Sequence, residues 1–179
     1  MSKVFLIEGP VGAGKSTFSI DLSQKVNAPH INLDSWMVKL FRPDRPSKNI
    51  IEWYGVRKER CVDQIWDVAL RILNTGCDVI LELGLIHAQS RQTMYRCIKD
   101  SGHEILIYVL DASKEERRER VRNRNLHRGQ TFSMEVSEDV FETASNMWEK
   151  PGDAECEHQE VIFVSELAVN KVFLRSLSD

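Results

Sequence analysis

Phosphate binding is the chemistry for which the clearest motif of the chain is suited. Residues 6–17 read LIEGPVGAGKST and contain the pattern G-x-x-x-x-G-K-[ST]. Glycines let consecutive backbone N–H groups turn towards one anion, the lysine can reach the β- and γ-phosphates, and the serine hydroxyl can bind Mg²⁺. The motif therefore predicts a nucleoside triphosphate site, with Ser16 as the metal ligand. The predicted nucleotide-binding residues are Gly9, Pro10, Val11, Gly12, Ala13, Gly14, Lys15, Ser16 and Thr17.

A carboxylate at the end of the second predicted strand could act as a general base. Asp34 ends the apolar run in APHINLD, and the carboxyl ends of neighbouring strands in a doubly wound sheet share one crevice with the phosphate loop. Asp34 there could accept the proton of a hydroxyl that attacks the γ-phosphate. Alternatively, Asp34 only caps the helix that begins at SWMVKL. The spacing leaves both roles open.

Glu82 ends the third predicted strand and is a second candidate carboxylate. It could hold a magnesium-bound water, contact the substrate or assist Asp34 as base. His87 and Arg91 follow on the next loop and helix start. Each could line the pocket of the phosphoryl acceptor or lie on the solvated surface.

An arginine-rich segment, LDASKEERRERVRNRNLHRG, predicts a helix with a mostly exposed surface. Arg117, Arg120 and Arg124 are spaced at i, i+3 and i+7, so like charges stack along one face at a small energetic cost. A bound phosphoryl group would offset that cost, because guanidinium groups stabilise its charge. Pairs such as Glu116 with Arg120 would instead make this an ordinary solvated helix.

Short apolar runs that alternate with longer helix-compatible stretches must position these residues. This order is typical of a parallel sheet with helices on both faces. An apolar stripe at three- and four-residue spacing predicts a long helix between the second and third strands, ending near Gly76. The segment RNLHRGQTFSM is predicted to be a mobile loop, and PGDAECEHQE a surface connection. The predicted strands span residues 3–8, 29–34, 77–83, 104–110 and 161–164.

The length of the chain fits one domain, and its net charge is close to zero. The chain has 179 residues, with 24 Lys plus Arg against 27 Asp plus Glu, and its net charge of -3 does not favour a nucleic acid partner. The apolar runs are too short for a membrane span, so we expect a cytoplasmic protein. We expect it to be a monomer or a homodimer. The four cysteines form no C-x-x-C pair and indicate neither zinc nor redox chemistry.

Two stretches together resemble the small P-loop kinases. Residues 9–17, GPVGAGKST, and residues 31–34, INLD, are similar to the group that includes polynucleotide 5'-kinases, zeta-toxin-like kinases, chloramphenicol phosphotransferases and gluconate kinases. The resemblance extends over about residues 3–165. It implies an α/β P-loop NTPase fold of the nucleoside-kinase-like kind: a three-layer α/β/α domain over residues 1–179, with a five-stranded parallel sheet and a helical lid.

The resemblance also implies roles for individual residues. Asp34 matches an aspartate that acts as base in polynucleotide kinases and chloramphenicol phosphotransferases. Arg120-Val121-x-x-Arg124 resembles the lid entry R-[LV]-x-x-R, in which the first arginine packs on adenine and the second reaches the phosphates. A lid is thus implied at residues 124–135, with a weaker role for Arg128. Glu82 departs from the group, which often has an aspartate at this strand end.

Residues 35–60 are the candidate acceptor site. Aromatic and basic side chains alternate there, and they could stack a base or sugar while pairing a phosphate. They could instead form an amphipathic helical cap whose aromatic side chains are part of the core. The set comprises Trp36, Phe41, Arg42, Arg45, Trp53, Tyr54, Arg57 and Lys58.

These patterns lead to one main functional hypothesis. We expect an ATP- and Mg²⁺-dependent kinase that moves the γ-phosphate to a hydroxyl of an unidentified acceptor, either a small molecule or a nucleic-acid 5'-OH. The alternative is a P-loop ATPase or nucleotide switch that acts through a protein partner. The predicted catalytic residues are Lys15, Asp34, Glu82, Arg120 and Arg124.

Overall fold

Five parallel strands form one sheet at the centre of the structure. The computed structural model describes residues 1–164, so the end of the predicted 1–179 domain lies outside the described residues. The strand order is β2-β3-β1-β4-β5, and every neighbouring pair is parallel. The predicted five-stranded parallel sheet is therefore confirmed. The strands are β1 (Lys3–Glu8), β2 (His30–Asn32), β3 (Val79–Glu82), β4 (Glu104–Leu110) and β5 (Val161–Val164).

Helices connect the strands and cover both faces of the sheet, as the α/β fold class requires. A short 3-10 turn at Arg42–Asp44 separates the second helix from the third. Within residues 1–164, no helix combines the length and apolar character that a membrane crossing needs. The helices are α1 (Lys15–Val26), α2 (Leu33–Phe41), α3 (Ile50–Leu73), α4 (Ala88–Asp100), α5 (Lys114–His127), α6 (Glu138–Met147) and α7 (Asp153–Cys156).

The central strand, β1, contributes to two separate cores. Val4 and Leu6 join the core that α3 and α4 cover, whereas Phe5 and Ile7 join the core that α1 covers. A strand that is buried on both faces has a continuous apolar sequence rather than an alternating one. The loop that follows Glu8 consequently leaves the sheet at the middle of its carboxyl edge, where parallel α/β sheets bind ligands.

The second strand is shorter than the predicted segment 29–34. It stops at Asn32, because the Asn32 side chain accepts a 2.9 Å hydrogen bond from the Ser35 backbone N–H and caps α2. Asp34 therefore lies in the first turn of α2 and not at a strand end. The proposed alternative that Asp34 caps this helix is also wrong, since Asn32 takes that position.

The long helix predicted before the third strand is α3, which ends at Leu73, close to the expected stop at Gly76. It begins earlier than the apolar stripe suggested, at Ile50. The candidate acceptor segment, residues 35–60, thus comprises most of α2, the 3-10 turn and the amino-terminal part of α3. The buried face of α3 repeats every four residues, at Cys61, Ile65, Ala69 and Leu73.

The segment predicted as a mobile loop, RNLHRGQTFSM, is partly helical. Helix α5 continues to His127, so the first four residues of that segment belong to its last turn. The Asn125 side chain then bonds the backbone of Val136 in both directions, at 2.8 and 3.2 Å. Ion pairs from Arg118 to Glu138 and Glu142 join α5 to α6. The implied lid residues 124–135 are therefore part of an α5–loop–α6 unit.

Candidate active site

The phosphate loop, residues 9–17, joins β1 to α1 and depends on two glycines. Gly9 has φ +143°, and a Cβ there would lie 2.3 Å from the Leu110 carbonyl oxygen. Gly12 has φ +78°, and its Cβ would lie 2.6 Å from the carbonyl oxygen of Arg117. Only glycine fits both the backbone conformation and the space at these positions. The loop can therefore pack closely against the end of β4 and against α5.

Helix α1 presents its amino terminus to the loop. Its capping residue is Gly14, which has no side chain to bond the first N–H groups of the helix. Such N–H groups and the helix dipole form an anion site. The Lys15 ammonium lies above the same loop and donates to the carbonyl oxygens of Gly9 at 2.9 Å and Pro10 at 2.8 Å. Burial lowers the pKa of Lys15, although the Glu82 and Asp34 carboxylates oppose that change.

Ser16 and Glu82 form a pair of oxygen groups beside this anion site. Ser16 Oγ donates to Glu82 Oε1 at 2.9 Å, and His30 Nε2 lies 3.1 Å from Glu82 Oε2. Burial would raise the pKa of Glu82, but the hydrogen bond from His30, the Lys15 charge and the bonds from Asn32 and Ser16 outweigh it and lower the pKa. Glu82 is therefore held as a carboxylate.

The Ser16–Glu82 pair fits the requirements of Mg²⁺ next to a triphosphate. Mg²⁺ prefers oxygen ligands and keeps several waters, so it needs few groups from the protein when phosphates are present. Across residues 1–164, no group of three or more His, Cys, Asp or Glu side chains could hold a metal by itself. The serine hydroxyl, with the carboxylate behind it, is the expected arrangement for an ion that the nucleotide brings.

Asp34 lies in the same cleft, on the side of α2. Its side chain is half-buried, and desolvation and the nearby Glu82 charge raise its pKa, while Lys15, Lys58 and Arg124 act in the opposite direction. These charges influence one another only because α1, α2, α3, β3 and α5 converge at the carboxyl edge of the sheet. The structure thus brings together four of the five predicted catalytic side chains: Lys15, Asp34, Glu82 and Arg124.

The three arginines that were expected to line one face of α5 have different surroundings. Arg117 is buried, and its guanidinium donates to Val11 O at 3.0 Å, Ala112 O at 3.2 Å and Ser145 Oγ at 3.1 Å. It supports the phosphate loop from behind. Arg120 Nη1 lies 3.5 Å from Ala13 O, at the edge of the loop.

Arg124 is the member of this set that faces the carboxylates of the cleft. Its Nε is buried without a hydrogen-bond partner. Burial lowers the pKa of Arg124, whereas Asp34 and Glu82 raise it. A buried N–H donor without a partner is costly, and a phosphoryl oxygen would satisfy it. Arg128, which was given a weaker lid role, is exposed and lies over the Phe132 ring at 5.4 Å.

Five members of the aromatic and basic set of residues 35–60 fall into two groups. Tyr54 and Lys58 lie one turn apart on α3, and the charge of Asp34 affects both of them. Burial, and to a lesser extent the negative charge of Asp34, raise the pKa of Tyr54. Arg57 instead stacks on the Trp53 ring at 4.3 Å and lies 5.9 Å from the Phe41 ring. The first group lines the cleft, and the second is part of the helical cap.

A second cluster of polar side chains was not foreseen from the sequence. Arg91 is fully buried, so its proposed position on a solvated surface is wrong. Its guanidinium donates to both Glu155 oxygens, at 2.6 and 2.8 Å, and Tyr95 Oη donates to Glu8 Oε1 at 2.8 Å. His87, the neighbouring candidate, lies 3.1 Å from Glu149. The cluster of Glu8, Arg91, Tyr95 and Glu155 fastens α4 and α7 to the end of β1.

Weak sequence signals pointed to this cluster and to His30. Glu8 interrupts an apolar run immediately before the phosphate loop, and His30 is a polar residue at the start of a short strand. A polar side chain in a buried strand needs a partner. The identity of those partners depends on packing that the sequence does not display.

Comparisons with known proteins agree with this architecture. The family model described as an AAA domain matches residues 4–151. No curated protein matches the chain. Several solved structures match this chain along almost their whole length. Their sequence identities to it are low, so the similarity is evidence for the fold alone.

Three of these structures illustrate the range. Chaetomium thermophilum Kti12 in complex with ADP-AlF3 has a TM-score of 0.72 at 15% identity, covering 97% of this chain and 97% of that chain. A sugar kinase from Janibacter sp. HTCC2649 has a TM-score of 0.65 at 11% identity, covering 99% and 94%. Deoxyadenosine kinase from M. mycoides with bound dATP has a TM-score of 0.60 at 14% identity, covering 98% and 100%.

Proposed function

Because the chain belongs to the AAA domain family, with the phosphate loop of a P-loop kinase-like fold, we propose that it is an ATP-dependent phosphotransferase. The γ-phosphate moves to a hydroxyl of an acceptor, which is either a small molecule or a nucleic-acid 5'-OH. The family membership confirms the resemblance to P-loop kinases. The acceptor reaction itself is inferred from the chemistry of the cleft.

The observation that carries the proposal is the contrast between two neighbouring carboxylates. Their surroundings lower the pKa of Glu82 and raise the pKa of Asp34. Glu82, held by Ser16 and His30, suits the magnesium side of the site, where a permanent negative charge is needed. Asp34, with the higher proton affinity, is the better proton acceptor. Opposite displacement of two such pKa values is a guide to acid and base assignments.

The other cations of the cleft suit the charge of a transferring phosphoryl group. Lys15 and the unpartnered Nε of Arg124 would contact the γ-phosphate oxygens, and Arg120 at the edge of the loop would pack beside the nucleotide. Ser16, with Glu82 behind it, would hold Mg²⁺. When bound, that ion neutralises charge on the phosphate oxygens.

The proposed reaction is a direct displacement. The acceptor oxygen forms a bond to the γ-phosphorus while the bond from phosphorus to the β,γ-bridging oxygen breaks, and the bond electrons leave with ADP. The proton of the acceptor hydroxyl passes to the Asp34 carboxylate. Lys15 and Arg124 orient the phosphoryl group for in-line attack.

Transfer of label from γ-labelled ATP tests the proposal. The protein and Mg²⁺ are incubated with two acceptor pools, 5'-hydroxyl oligonucleotides and a mixture of sugars, nucleosides and aminoglycoside- or phenicol-type alcohols. We expect label in one pool, none with Lys15→Ala, and a loss of about 100-fold or more with Asp34→Asn, while ATP binding by Asp34→Asn is retained. Asp63→Asn, at an exposed position of α3 outside the candidate acceptor segment, is the matched control.

Two results would contradict parts of the proposal. Label that appears only as free phosphate, with both pools unlabelled, would favour the ATPase or nucleotide-switch alternative. Near wild-type transfer by Asp34→Asn would remove Asp34 as the base and transfer that role to Glu82.

A further inference from the structure

Residues 39–60, which we name the basic cap, have a charge opposite to that of the rest of the chain. They include seven Lys or Arg and three Asp or Glu, whereas the other residues include 17 and 24. The basic cap comprises the end of α2, the 3-10 turn and the first turns of α3. A local excess of one sign of charge attracts ligands of the opposite sign, even where the net charge is small. The overall charge of -3 therefore conceals a basic surface.

The cations of the basic cap are not neutralised by neighbouring carboxylates. Among the described residues 1–164, none of the seven forms an ion pair. Helix α5 is also rich in arginine, but there Arg118 and Arg122 both pair with Glu138 of α6. The charge of α5 is thus partly used within the fold, whereas the charge of the basic cap is available to a ligand.

A groove of about 270 Å³ lies in the basic cap, between the segment that leaves the 3-10 turn and the first turns of α3. Its lining has two cations, Lys48 and Arg57, one carboxylate, Glu52, and the ring of Trp53. The Arg57 guanidinium lies 4.3 Å from the centre of that ring and donates to the Trp53 carbonyl oxygen at 3.2 Å. An aromatic ring among cations can stack a base while the cations hold phosphates.

The groove lies beside the cleft and at a distance from the proposed base. Lys58, next to the groove residue Arg57, donates to the carbonyl oxygen of Gly84 at 2.8 Å, which holds α3 at the carboxyl edge of the sheet. Arg57 also lies 5.9 Å from the ring of Phe41, seven residues after Asp34 on α2. At 1.5 Å per residue, the groove is about 10 Å along α2 from Asp34. An acceptor that occupies both the cleft and the groove must therefore be an extended molecule.

The charge, the aromatic ring and the distance together favour one kind of partner. We propose that the basic cap is a docking surface for single-stranded nucleic acid, whose 5'-hydroxyl enters the cleft while the following nucleotides lie in the groove. Its phosphates contact Lys48 and the exposed Arg45, and a base stacks at Trp53. Exposed Leu40 and Ile51 would also suit an anionic membrane, but a flat lipid surface does not enter a groove. The inference rests on the phosphotransferase function proposed above and selects between its two acceptor classes.

Binding and transfer are measured with a 5'-hydroxyl dodecanucleotide and a 5'-hydroxyl dinucleotide. Fluorescence anisotropy of the dodecanucleotide, labelled at its 3' end, gives Kd at several salt concentrations without ATP. Transfer from γ-labelled ATP gives kcat/KM for both acceptors. The variants are Trp53→Leu and the double variant Arg45→Gln/Lys48→Gln. The control is Arg96→Gln/Lys99→Gln, which removes two exposed charges from α4, far from the groove in the chain.

We expect kcat/KM for the dodecanucleotide to exceed that for the dinucleotide by about 100-fold, because only the longer strand fills the groove. The double variant of the basic cap should weaken binding of the dodecanucleotide by about tenfold at low salt. The slope of log Kd against log salt concentration should fall by about 0.7 for each phosphate contact that is lost. Trp53→Leu should weaken binding by about tenfold and keep the salt slope. The α4 control should match the wild type.

The outcomes separate this inference from the function on which it rests. Label on a small molecule, with none on either oligonucleotide, leaves the phosphotransferase in place and overturns the docking surface. Label on no acceptor overturns the proposed function, while strand binding that only the basic-cap variants weaken still supports the surface. Equal effects of the double variant and its control overturn the inference. It is also overturned if a blunt duplex binds as tightly as the single strand, or if vesicles of anionic lipid bind and the strand does not.

Discussion

Ser16 Oγ donates a 2.9 Å hydrogen bond to Glu82 Oε1, which connects the first turn of α1 to the last residue of β3. The second oxygen of the carboxylate lies 3.1 Å from His30 Nε2, on the neighbouring strand β2. Both oxygens are thus engaged, and the orientation of the carboxylate is fixed. The kinases that the chain resembles often have an aspartate at this strand end, and the Glu82 side chain is one methylene longer. The longer side chain is accommodated here with its carboxylate on the serine of the phosphate loop.

We expect Glu82→Gln to impair the use of Mg²⁺ rather than the binding of ATP. The amide keeps the shape of the side chain but removes the negative charge behind Ser16. The Mg²⁺ concentration required for half-maximal activity should rise, and kcat should fall by about 100-fold. Initial rates measured against Mg²⁺ concentration check this. Glu119→Gln, on the exposed surface of α5, is the control, and an unchanged Mg²⁺ dependence of Glu82→Gln would contradict the assignment.

Gly12→Ala should disrupt the phosphate loop. Its Cβ would lie 2.6 Å from the backbone oxygen of Arg117, at a positive φ that alanine adopts only with strain. We expect a loss of stability of about 1–3 kcal/mol and weaker ATP binding. Urea denaturation and calorimetric titration with ATP measure the two effects. Gly55→Ala, inside α3 with open space around its Cβ, should instead be neutral or stabilising.

The parts of the fold that the sequence predicted depend on consecutive residues. The phosphate loop and the five apolar strand segments are local patterns, so they need no knowledge of distant contacts. The end of β2 was misjudged, because Asn32 competes with the strand by capping α2. Asp34 nonetheless lies near Glu82, because it is the second residue of α2 and the first turn of that helix begins at the shared carboxyl edge of the sheet.

The surroundings of the arginines could not be predicted from spacing. Spacing along a helix determines which side chains share a face, but packing determines what that face meets. Val121 packs with Phe141 of α6, and this contact determines the orientation of α5 about its axis. In that orientation Arg117 faces the back of the phosphate loop and Arg124 faces the cleft. Arg91 likewise meets Glu155 across 64 residues of chain. Such pairs arise from tertiary packing alone.

Arg124 should be required for chemistry more than for ATP binding. Its Nε is buried without a partner, so the guanidinium is available to the phosphoryl group as charge develops. We expect Arg124→Gln to lower kcat by about 1,000-fold with a small change in the KM for ATP. Arg124→Lys should recover little, because the planar fork is lost. Steady-state kinetics measure both parameters.

The control for Arg124 is Arg122, on the outer side of the same helix. Arg122 is exposed and pairs with Glu138 at 3.2 Å. Arg122→Gln should keep kcat within about twofold of wild type, since exposed ion pairs contribute little. Equal effects of the two substitutions would show that the loss reflects the net charge of α5 and not the position of Arg124.

Glu8 should make the stability of the protein depend on pH. Its carboxyl group is buried beside Arg91, Tyr95 and Glu155, and burial raises its pKa to about 8, against opposing effects of the Tyr95 hydrogen bond and the Arg91 charge. Glu8 Oε2 is buried without a hydrogen-bond partner. An ionised oxygen would be costly there, so the folded protein favours the neutral acid.

The direction of the pH effect follows from the number of bound protons. Between the ordinary pKa of a glutamate and pH 8, the folded state keeps the Glu8 proton and the unfolded chain releases it. The free energy of unfolding contributed by this group is therefore fully present at low pH, falls by up to about 1.4 kcal/mol per pH unit above pH 4.5, and levels off above pH 8. Glu8→Gln, a neutral residue of the same shape, should remove this slope.

Urea denaturation from pH 5 to pH 9 measures the difference between the two proteins. The free energies of unfolding of wild type and Glu8→Gln should be similar near pH 5, and the variant should become the more stable protein as the pH rises to 8. Glu104→Gln, which removes a half-exposed carboxylate paired with Lys3 at 3.5 Å, should follow the wild-type curve. Parallel curves for wild type and Glu8→Gln would mean that Glu8 is ionised throughout, with Arg91 shared between Glu8 and Glu155.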